Sequence, residues 1–140
     1  PTPAGRWRRS VYLQYRRTDI PTMMSTFDYP EMGPNCLTRS ISTVSPQSLL
    51  LMNNRHVRDL AGAFADRVES IHADDSPDDM QSRVETAYQL ALSRPPSDVE
   101  RKLGVESLTA LRAAWRDKPR AAMETYCHTI LNSAAFLYID

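Results

Sequence analysis

The chain has 140 residues, the length of a single domain. Its 17 lysines and arginines balance its 17 aspartates and glutamates, which excludes a chain held to nucleic acid or anionic lipid by bulk charge alone. Hydrophobic residues make up 41% of the chain, enough for a modest core, and no apolar run approaches the ~18 residues of a transmembrane helix.

Residues 1–45 differ from the rest of the chain in charge and in proline content. This segment contains six arginines and three carboxylates, which gives it a net charge of +3, and its prolines favour extended backbone and turns. Within residues 8–17, Val11, Leu13 and Tyr15 alternate with more polar residues, which is the period of a half-buried strand. The sequence predicts one strand here, which would pair with a part of a longer parent protein or with a second copy of the chain.

From Ser45 onward, apolar residues recur at spacings of three and four, the period of amphipathic helices. Ser45 and Pro46 suit the N-cap and the first position of a helix. The asparagines at positions 53 and 54 interrupt the pattern, which predicts either a bend or a break in which an asparagine caps a second helix. Residues 76–79, Ser-Pro-Asp-Asp, predict the start of the next helix, with Ser76 as its N-cap.

Two further helices follow in the sequence. Residues 94–96, Arg-Pro-Pro, end the preceding helix, and Ser97 with Glu100 forms the pattern of a capping box. Gly104 interrupts the helix that begins there and weakens it by up to ~1 kcal/mol relative to alanine. Pro119 begins the last helix. The apolar face predicted for the helix after the capping box consists of Val99, Leu103, Leu108, Leu111 and Trp115.

The C-terminal residues 136–139 are too apolar for a free tail, so we expect them to dock on the core. Short turns join the predicted helices, and neighbours in sequence then pack antiparallel. The sequence therefore predicts a mainly α fold. It is a compact bundle of four or five short helices in residues 46–140, preceded by an extended, Arg- and Pro-rich segment in residues 1–45 that holds one strand.

The cysteines and histidines offer no recognisable site. Cys36 and Cys127 either form one disulfide, which would close a loop of ~90 residues, or remain a loop thiol and a core thiol. The pair Cys127-His128 lacks the first cysteine of the haem-attachment motif Cys-x-x-Cys-His. None of the histidines lies one helical turn from another histidine or a cysteine, so the sequence predicts no metal site. The histidines are His56, His72 and His128. We expect no cofactor.

The sequence also predicts no catalytic residue, because it has neither a serine-nucleophile elbow nor a phosphate-binding glycine loop. Basic and aromatic residues mix near the N-terminus, a pattern that suits contacts to phosphate, sulfate or single-stranded nucleic acid. The same arginines could instead pair with carboxylates of a longer parent. The candidate anion contacts are Arg8, Arg9, Arg16, Arg17 and Arg39.

Several short motifs follow one another along the chain. They are RRSVY at residues 8–12, FD at 27–28, Cys36, Arg39, STVSPQSLLLMN at 42–53, AYQLALSRPP at 87–96 and CHTILNSAAFLYID at 127–140. In this order they resemble the C-terminal part of a planctomycete family, domain of unknown function 1553. The resemblance implies a long secreted, periplasmic or envelope-associated parent, with a cytochrome-c-like module and a second domain upstream. It implies no catalytic residue.

Three functions are consistent with these observations. The first is a non-catalytic helical packing or interaction domain of such a parent. The second is a part of an envelope enzyme, redox or polysaccharide-related, whose reactive groups lie elsewhere in the parent. The third is a polyanion-binding module that uses the basic N-terminal segment. We favour the first, with other domains of the parent and a cytochrome-c-like module as partners, and a homodimer through the strand. Membrane insertion and nucleic-acid binding are not expected.

Overall fold

The structure is a computed structural model of the chain. It describes residues 12, 22–27, 45–72, 79–116 and 118–137, in which all regular elements are helices. They are α1 (Thr22–Thr26), α2 (Ser45–Asn53), α3 (Arg55–Ile71), α4 (Met80–Leu92), α5 (Asp98–Ala114), α6 (Pro119–Leu131) and α7 (Ala134–Leu137). The predicted mainly α fold is confirmed. The strand predicted within residues 8–17 lies, apart from Tyr12, outside the described residues.

The chain divides into two units, Pro1–Gln47 and Ser48–Asp140. In the first unit, α1 follows Pro21, whose fixed φ suits the start of a helix. The segment predicted as extended therefore contains one short helix that the sequence analysis did not predict. Within the same unit, the side-chain amide of the buried Gln47 donates a hydrogen bond to the carbonyl of Thr26 at 3.0 Å.

The boundary between α2 and α3 is a break and not a bend. Asn54 is the N-cap of α3, and its side-chain oxygen accepts hydrogen bonds from the backbone N–H groups of His56 at 2.8 Å and Val57 at 3.3 Å. Asparagine is among the best N-cap residues because its short side chain reaches these otherwise unpaired donors. Of the two predicted alternatives, the capped second helix is confirmed.

The start of α4 was predicted wrongly. The N-cap is Asp79, not Ser76, and residues 76–78 lie outside the described part of the chain. Asp79 accepts hydrogen bonds from the backbone N–H of Ser82 at 3.1 Å and from its hydroxyl at 2.7 Å. These bonds lower the pKa of the Asp79 carboxyl. These two bonds identify Asp79 as the cap, which the sequence pattern alone did not reveal.

Three other predicted helix ends agree with the structure, whereas α2 begins at Ser45, one residue before the predicted start at Pro46. Ser97 and Glu100 form the capping box of α5, and Pro119 occupies the first turn of α6. The helix α4 ends before the two prolines, at Ser93, whose backbone is left-handed with φ 56°. A non-glycine residue in that conformation costs ~1 kcal/mol or more, and here it turns the chain toward the proline pair.

The core of the second unit is built around α6. This helix contacts α3, α4, α5 and α7, so it holds the central position among them. The buried core side chains of α3 and α4 are alanines and valines, and the larger buried side chains come from α5 and α6. The buried cluster consists of Ala65, Val68, Val84, Ala87, Leu108, Met123, Tyr126, Cys127 and Ile130.

The predicted apolar face of α5 is correct for Leu108, which is buried, and for Leu111, which packs against the core, but it is wrong for Val99, Leu103 and Trp115. Val99 and Leu103 are 68% and 56% exposed, and the residues that α5 buries are Gly104 and Leu108. A Cβ atom at Gly104 would lie 2.6 Å from the hydroxyl oxygen of Tyr126 and 2.8 Å from a methyl carbon of Val84. Successive helix residues are ~100° apart, so the inward position of Gly104 turns Leu103 outward. Gly104 is therefore a packing requirement and not a weak point.

The apolar C-terminal stretch is only partly described. The four-residue helix α7 packs against α4 and α6, yet Phe136 is exposed, so the predicted docking is wrong for this side chain. The turn is set locally, because the Ser133 carbonyl accepts hydrogen bonds from the N–H groups of Phe136 and Leu137, both at 3.1 Å. Tyr138 and Ile139 lie outside the described residues.

None of the helices in the described part of the chain is both long enough and apolar enough to cross a membrane.

Candidate functional site

The residues predicted to contact an anion cannot be placed in the fold. All five arginines, Arg8, Arg9, Arg16, Arg17 and Arg39, lie outside the described residues. An anion site formed by them stays a prediction.

Cys127 lies on the inward face of α6 and has no exposed surface. This burial is what the core-thiol interpretation requires. Burial raises the pKa of this thiol to about 12, and the nearby carboxylates of Glu69 and Glu124 add to the effect. Cys36 lies outside the described residues, so the disulfide between them stays a prediction.

The described histidines are held by neighbouring elements. The Nε2 atom of the buried His72 lies 2.8 Å from the hydroxyl oxygen of Thr86. The Nε2 atom of His128 lies 3.2 Å from the carbonyl oxygen of Leu51. Because a carbonyl only accepts, this nitrogen of His128 carries a proton. Among the described residues, no group of three or more histidines, cysteines and carboxylates converges in a way that would hold a metal ion.

A groove of about 220 Å³ opens between α4, α5, α6 and the start of α7, and we call it the Tyr126 groove. Gly104 of α5, which lies beside the Tyr126 hydroxyl of α6, forms part of its lining. Its walls combine aliphatic side chains with hydroxyl groups. The groove is lined by Tyr88, Leu92, Glu100, Leu103, Gly104, Ser107, Tyr126, Thr129, Ile130, Ser133 and Ala135.

Tyr126 lines this groove, and the residue as a whole is only 5% exposed. Its hydroxyl oxygen lies beside Gly104 of α5. Burial raises the pKa of this phenol above its usual value, with Tyr88 as the next contribution, so the hydroxyl keeps its proton at ordinary pH. It therefore presents a hydrogen-bond donor to whatever enters the groove.

One wall of the groove carries a compensated charge. The Glu100 carboxylate accepts two hydrogen bonds from the Arg94 guanidinium, at 2.7 and 2.9 Å, and one from the N–H of Ser97 at 2.8 Å. Arg94 and then Ser97 lower the pKa of Glu100 to about 2. The Arg94 guanidinium lies 5.7 Å from the ring centroid of Tyr88, within reach of a cation–π contact. The wall is thus close to neutral overall.

A second hollow of about 240 Å³ lies between α3, α6 and the end of α5. Its polar groups are already bound to the protein. The Glu124 carboxylate pairs with Arg120 at 3.3 Å, and the Thr125 hydroxyl donates to the carbonyl of Ala121 at 2.8 Å. The lining consists of Arg58, Ala61, Trp115, Glu124, Thr125 and His128.

The sequence analysis identified neither hollow. Both are formed by residues that lie far apart in the chain and that single motifs do not connect. Tyr126 and Gly104 carry no local signal for their contact, because each fits an ordinary helix pattern on its own.

Most of the chain matches a known protein family. The family model described as PSD1, protein of unknown function (DUF1553), matches residues 2–108. The chain belongs to this family. The resemblance to DUF1553 is thereby confirmed over residues 2–108. No curated protein and no solved structure matches the chain. The part of the DUF1553 domain that the match covers ends within α5, so α6 and α7, which complete the Tyr126 groove, follow it.

Proposed function

We propose that this DUF1553 domain is a non-catalytic helical domain that packs against other domains of a larger secreted, periplasmic or envelope protein. The observation that carries the proposal is the exposure of large apolar side chains outside the core. On α2, Leu49 and Met52 are 58% and 53% exposed, and on α5 Val99 and Leu103 are exposed to a similar degree. Clustered apolar side chains on a surface mark sites of association.

The exposed side chains are arranged for contact by whole helix faces. Leu49 and Met52 are three residues apart, and Val99 and Leu103 are four apart, so each pair shares one side of its helix. A single exposed leucine needs no explanation, but two pairs on separate helices form two candidate contact faces. These faces suit the flat, extended contacts that domains of one protein make with one another.

The carboxylates that line the two hollows are held in ion pairs. Glu100 is fixed by Arg94, and Glu124 is paired with Arg120. A carboxyl with a pKa of about 2, such as Glu100, is a very weak base at neutral pH, far from the value that suits a general base. Both carboxylates act in the structure as ion-pair partners.

The partners in this proposal are the remaining domains of the parent, among them a cytochrome-c-like module. The resemblance to the planctomycete members of the family supports this choice and the envelope location. The two alternative functions, a part of an envelope enzyme and a polyanion-binding module, depend on residues outside the described part and stay predictions.

Substitutions on α2 in the parent protein test the proposal. Leu49→Asp combined with Met52→Asp places two charges on the exposed face, and Ser48→Asp adds one charge to another exposed position of the same helix. The readout is the rate at which limited proteolysis separates this domain from the rest of the parent. We expect faster separation for the double variant and the wild-type rate for Ser48→Asp. Equal rates for the wild type and the double variant would contradict the proposal.

A further inference from the structure

We propose that the partner surface that covers α2 is acidic, with apolar side chains at its centre. The exposed face of α2 continues into a positively charged surface, which we call the Trp115 patch. This patch consists of five exposed residues, Arg55, Arg58, Trp115, Arg116 and Lys118. The inference rests on the proposed packing function and adds the chemistry that the partner presents.

Arg58 connects the face of α2 with Trp115. Its guanidinium donates hydrogen bonds to the carbonyl of Met52 at 3.4 and 3.5 Å. Arg58 and Trp115 also line the same hollow, the one of about 240 Å³ between α3 and α6. Met52 and Trp115 are 53% and 42% exposed, so a large apolar side chain is accessible at each end of this connection.

The other cations of the patch adjoin Trp115 or Arg58. Arg116 and Lys118 line, together with Trp115, a surface hollow at the turn between α5 and α6. Arg55 lies three residues before Arg58, so the two share one side of α3. Tryptophan and arginine are the residues most enriched where protein interfaces gain their affinity. The patch therefore has the composition of a protein contact surface.

The positive charge of the patch is not balanced within the described residues. Of the eleven described lysines and arginines, five form ion pairs with carboxylates, namely Arg83, Arg94, Arg101, Arg112 and Arg120. Four of the other six lie in the Trp115 patch. An exposed cluster of one charge sign favours a partner of the opposite sign.

The carboxylates near the patch do not neutralise it. Glu124 lines the hollow beside Trp115, but it is paired with Arg120 at 3.3 Å. Asp59 takes part in an interaction of its own. Asp117 lies outside the described residues, and a single carboxylate can compensate only one of the four cations. The patch therefore keeps a positive charge for a partner.

The remaining charges favour an acidic protein segment over a nucleic acid or an anionic membrane. Residues 46–140 contain 11 lysines and arginines and 14 aspartates and glutamates, a net charge of −3. A long polyanion would meet this negative charge beyond the patch, whereas a short acidic segment needs the patch alone. Leu49 and Met52 add apolar surface, which aliphatic side chains of a protein cover and a phosphate backbone does not.

Two capped hexapeptides test the inference on the full 140-residue chain. Acetyl-Glu-Glu-Leu-Leu-Glu-Glu-amide is the acidic probe, and acetyl-Lys-Lys-Leu-Leu-Lys-Lys-amide is its control of opposite charge. We expect the acidic peptide, at up to ~5 mM, to shift the NMR signals of the Met52 and Arg58 amides and of the Trp115 indole N–H. Raising NaCl from ~20 to ~300 mM should reverse these shifts, because salt screens exposed charges. The lysine peptide should leave the signals in place.

Charge reversal separates the patch from the rest of the surface. Arg58→Glu combined with Lys118→Glu should weaken binding of the acidic peptide roughly five- to tenfold, because two exposed attractions become repulsions. Arg55→Glu combined with Arg116→Glu reverses the other two cations and should act in the same way. The control is Arg67→Glu, an exposed position nine residues after Arg58 and on the opposite side of α3, which should bind as the wild type does.

Several results would overturn the inference. They are the absence of shifts at the patch, equal shifts with the lysine peptide, and wild-type affinity in both double variants. A heparin tetrasaccharide that shifts the same signals at a lower concentration than the acidic peptide would assign the patch to polyanions instead. Any of these results together with faster proteolysis of the Leu49→Asp, Met52→Asp parent would leave the packing function standing, whereas unaltered proteolysis would remove the packing function itself.

Discussion

Gly104 and Tyr126 set how closely two helices of this domain approach. The hydroxyl of Tyr126 lies where a side chain at position 104 would begin, so a glycine is required at that point of α5. From the sequence alone, this glycine indicates only a locally weakened helix. Its role depends on a residue 22 positions later in the chain, and such a contact has no local signature.

Gly104→Ala tests this packing requirement. Alanine favours a helix by up to ~1 kcal/mol, but its Cβ would lie 2.6 Å from the Tyr126 oxygen, and overpacking a core costs ~1–3 kcal/mol. We expect the free energy of unfolding in urea to fall. The control is Gly62→Ala on α3, where the nearest atom would lie at an ordinary 3.5 Å and the free energy should rise. A rise for both variants would contradict the assignment.

The reactivity of Cys127 reports on its burial. With a pKa of about 12, only about one thiol in 10⁴ is a thiolate at pH 8, and the side chain has no exposed surface. We expect iodoacetamide to label Cys127 in unfolded protein and not in folded protein, as measured by mass spectrometry of the peptides. Rapid labelling in the folded state would contradict the burial, and labelling that requires a reductant would support the disulfide with Cys36.

At the scale of helices, the termini were better predicted than the faces. Asn54, the capping box of Ser97 and Glu100, and Pro119 act through hydrogen bonds or backbone geometry within a few residues, so the sequence is sufficient to place them. The face that α5 turns inward depends on its neighbours α4 and α6. A stripe of apolar residues that includes Val99 indicates a helix, but it does not show which side of that helix the neighbouring helices cover.

The terminus of α5 also predicts a pH dependence. The Glu100 carboxyl has a pKa of about 2 in the folded protein against 4.5 as its ordinary value. A lowered folded-state pKa stabilises the fold above pH ~4.5, and that contribution is lost as the pH falls from ~4.5 toward ~2. Glu100→Gln should therefore flatten the fall of the unfolding midpoint over this range, while the exposed control Glu106→Gln should not. Parallel curves for all three proteins would contradict the role of Glu100.

At the scale of the whole molecule, α6 makes the second unit possible. It contributes Met123, Tyr126, Cys127 and Ile130 to the buried cluster, and it contacts α3, α4, α5 and α7. The match to the DUF1553 family ends at residue 108, before this helix begins. The fold of this chain therefore depends on residues beyond the matched region.

A chain that ends at residue 108 should not fold. It would lose the four α6 side chains of the core, and each large core side chain is worth ~2–5 kcal/mol against a typical domain stability of 5–15 kcal/mol. We expect circular dichroism to show little helix and no cooperative thermal transition. A cooperative transition near that of the full chain would show that the helices before α6 suffice.

The packing function is tested most directly by hydrogen exchange of this domain in isolation and within its parent protein. Exchange of the α2 and α5 amides should be slower in the parent, because the outward sides that bear Leu49 and Val99 become covered there. The amides of the α6 core should exchange at similar rates in both. Equal rates for α2 and α5 in the two proteins would contradict the account.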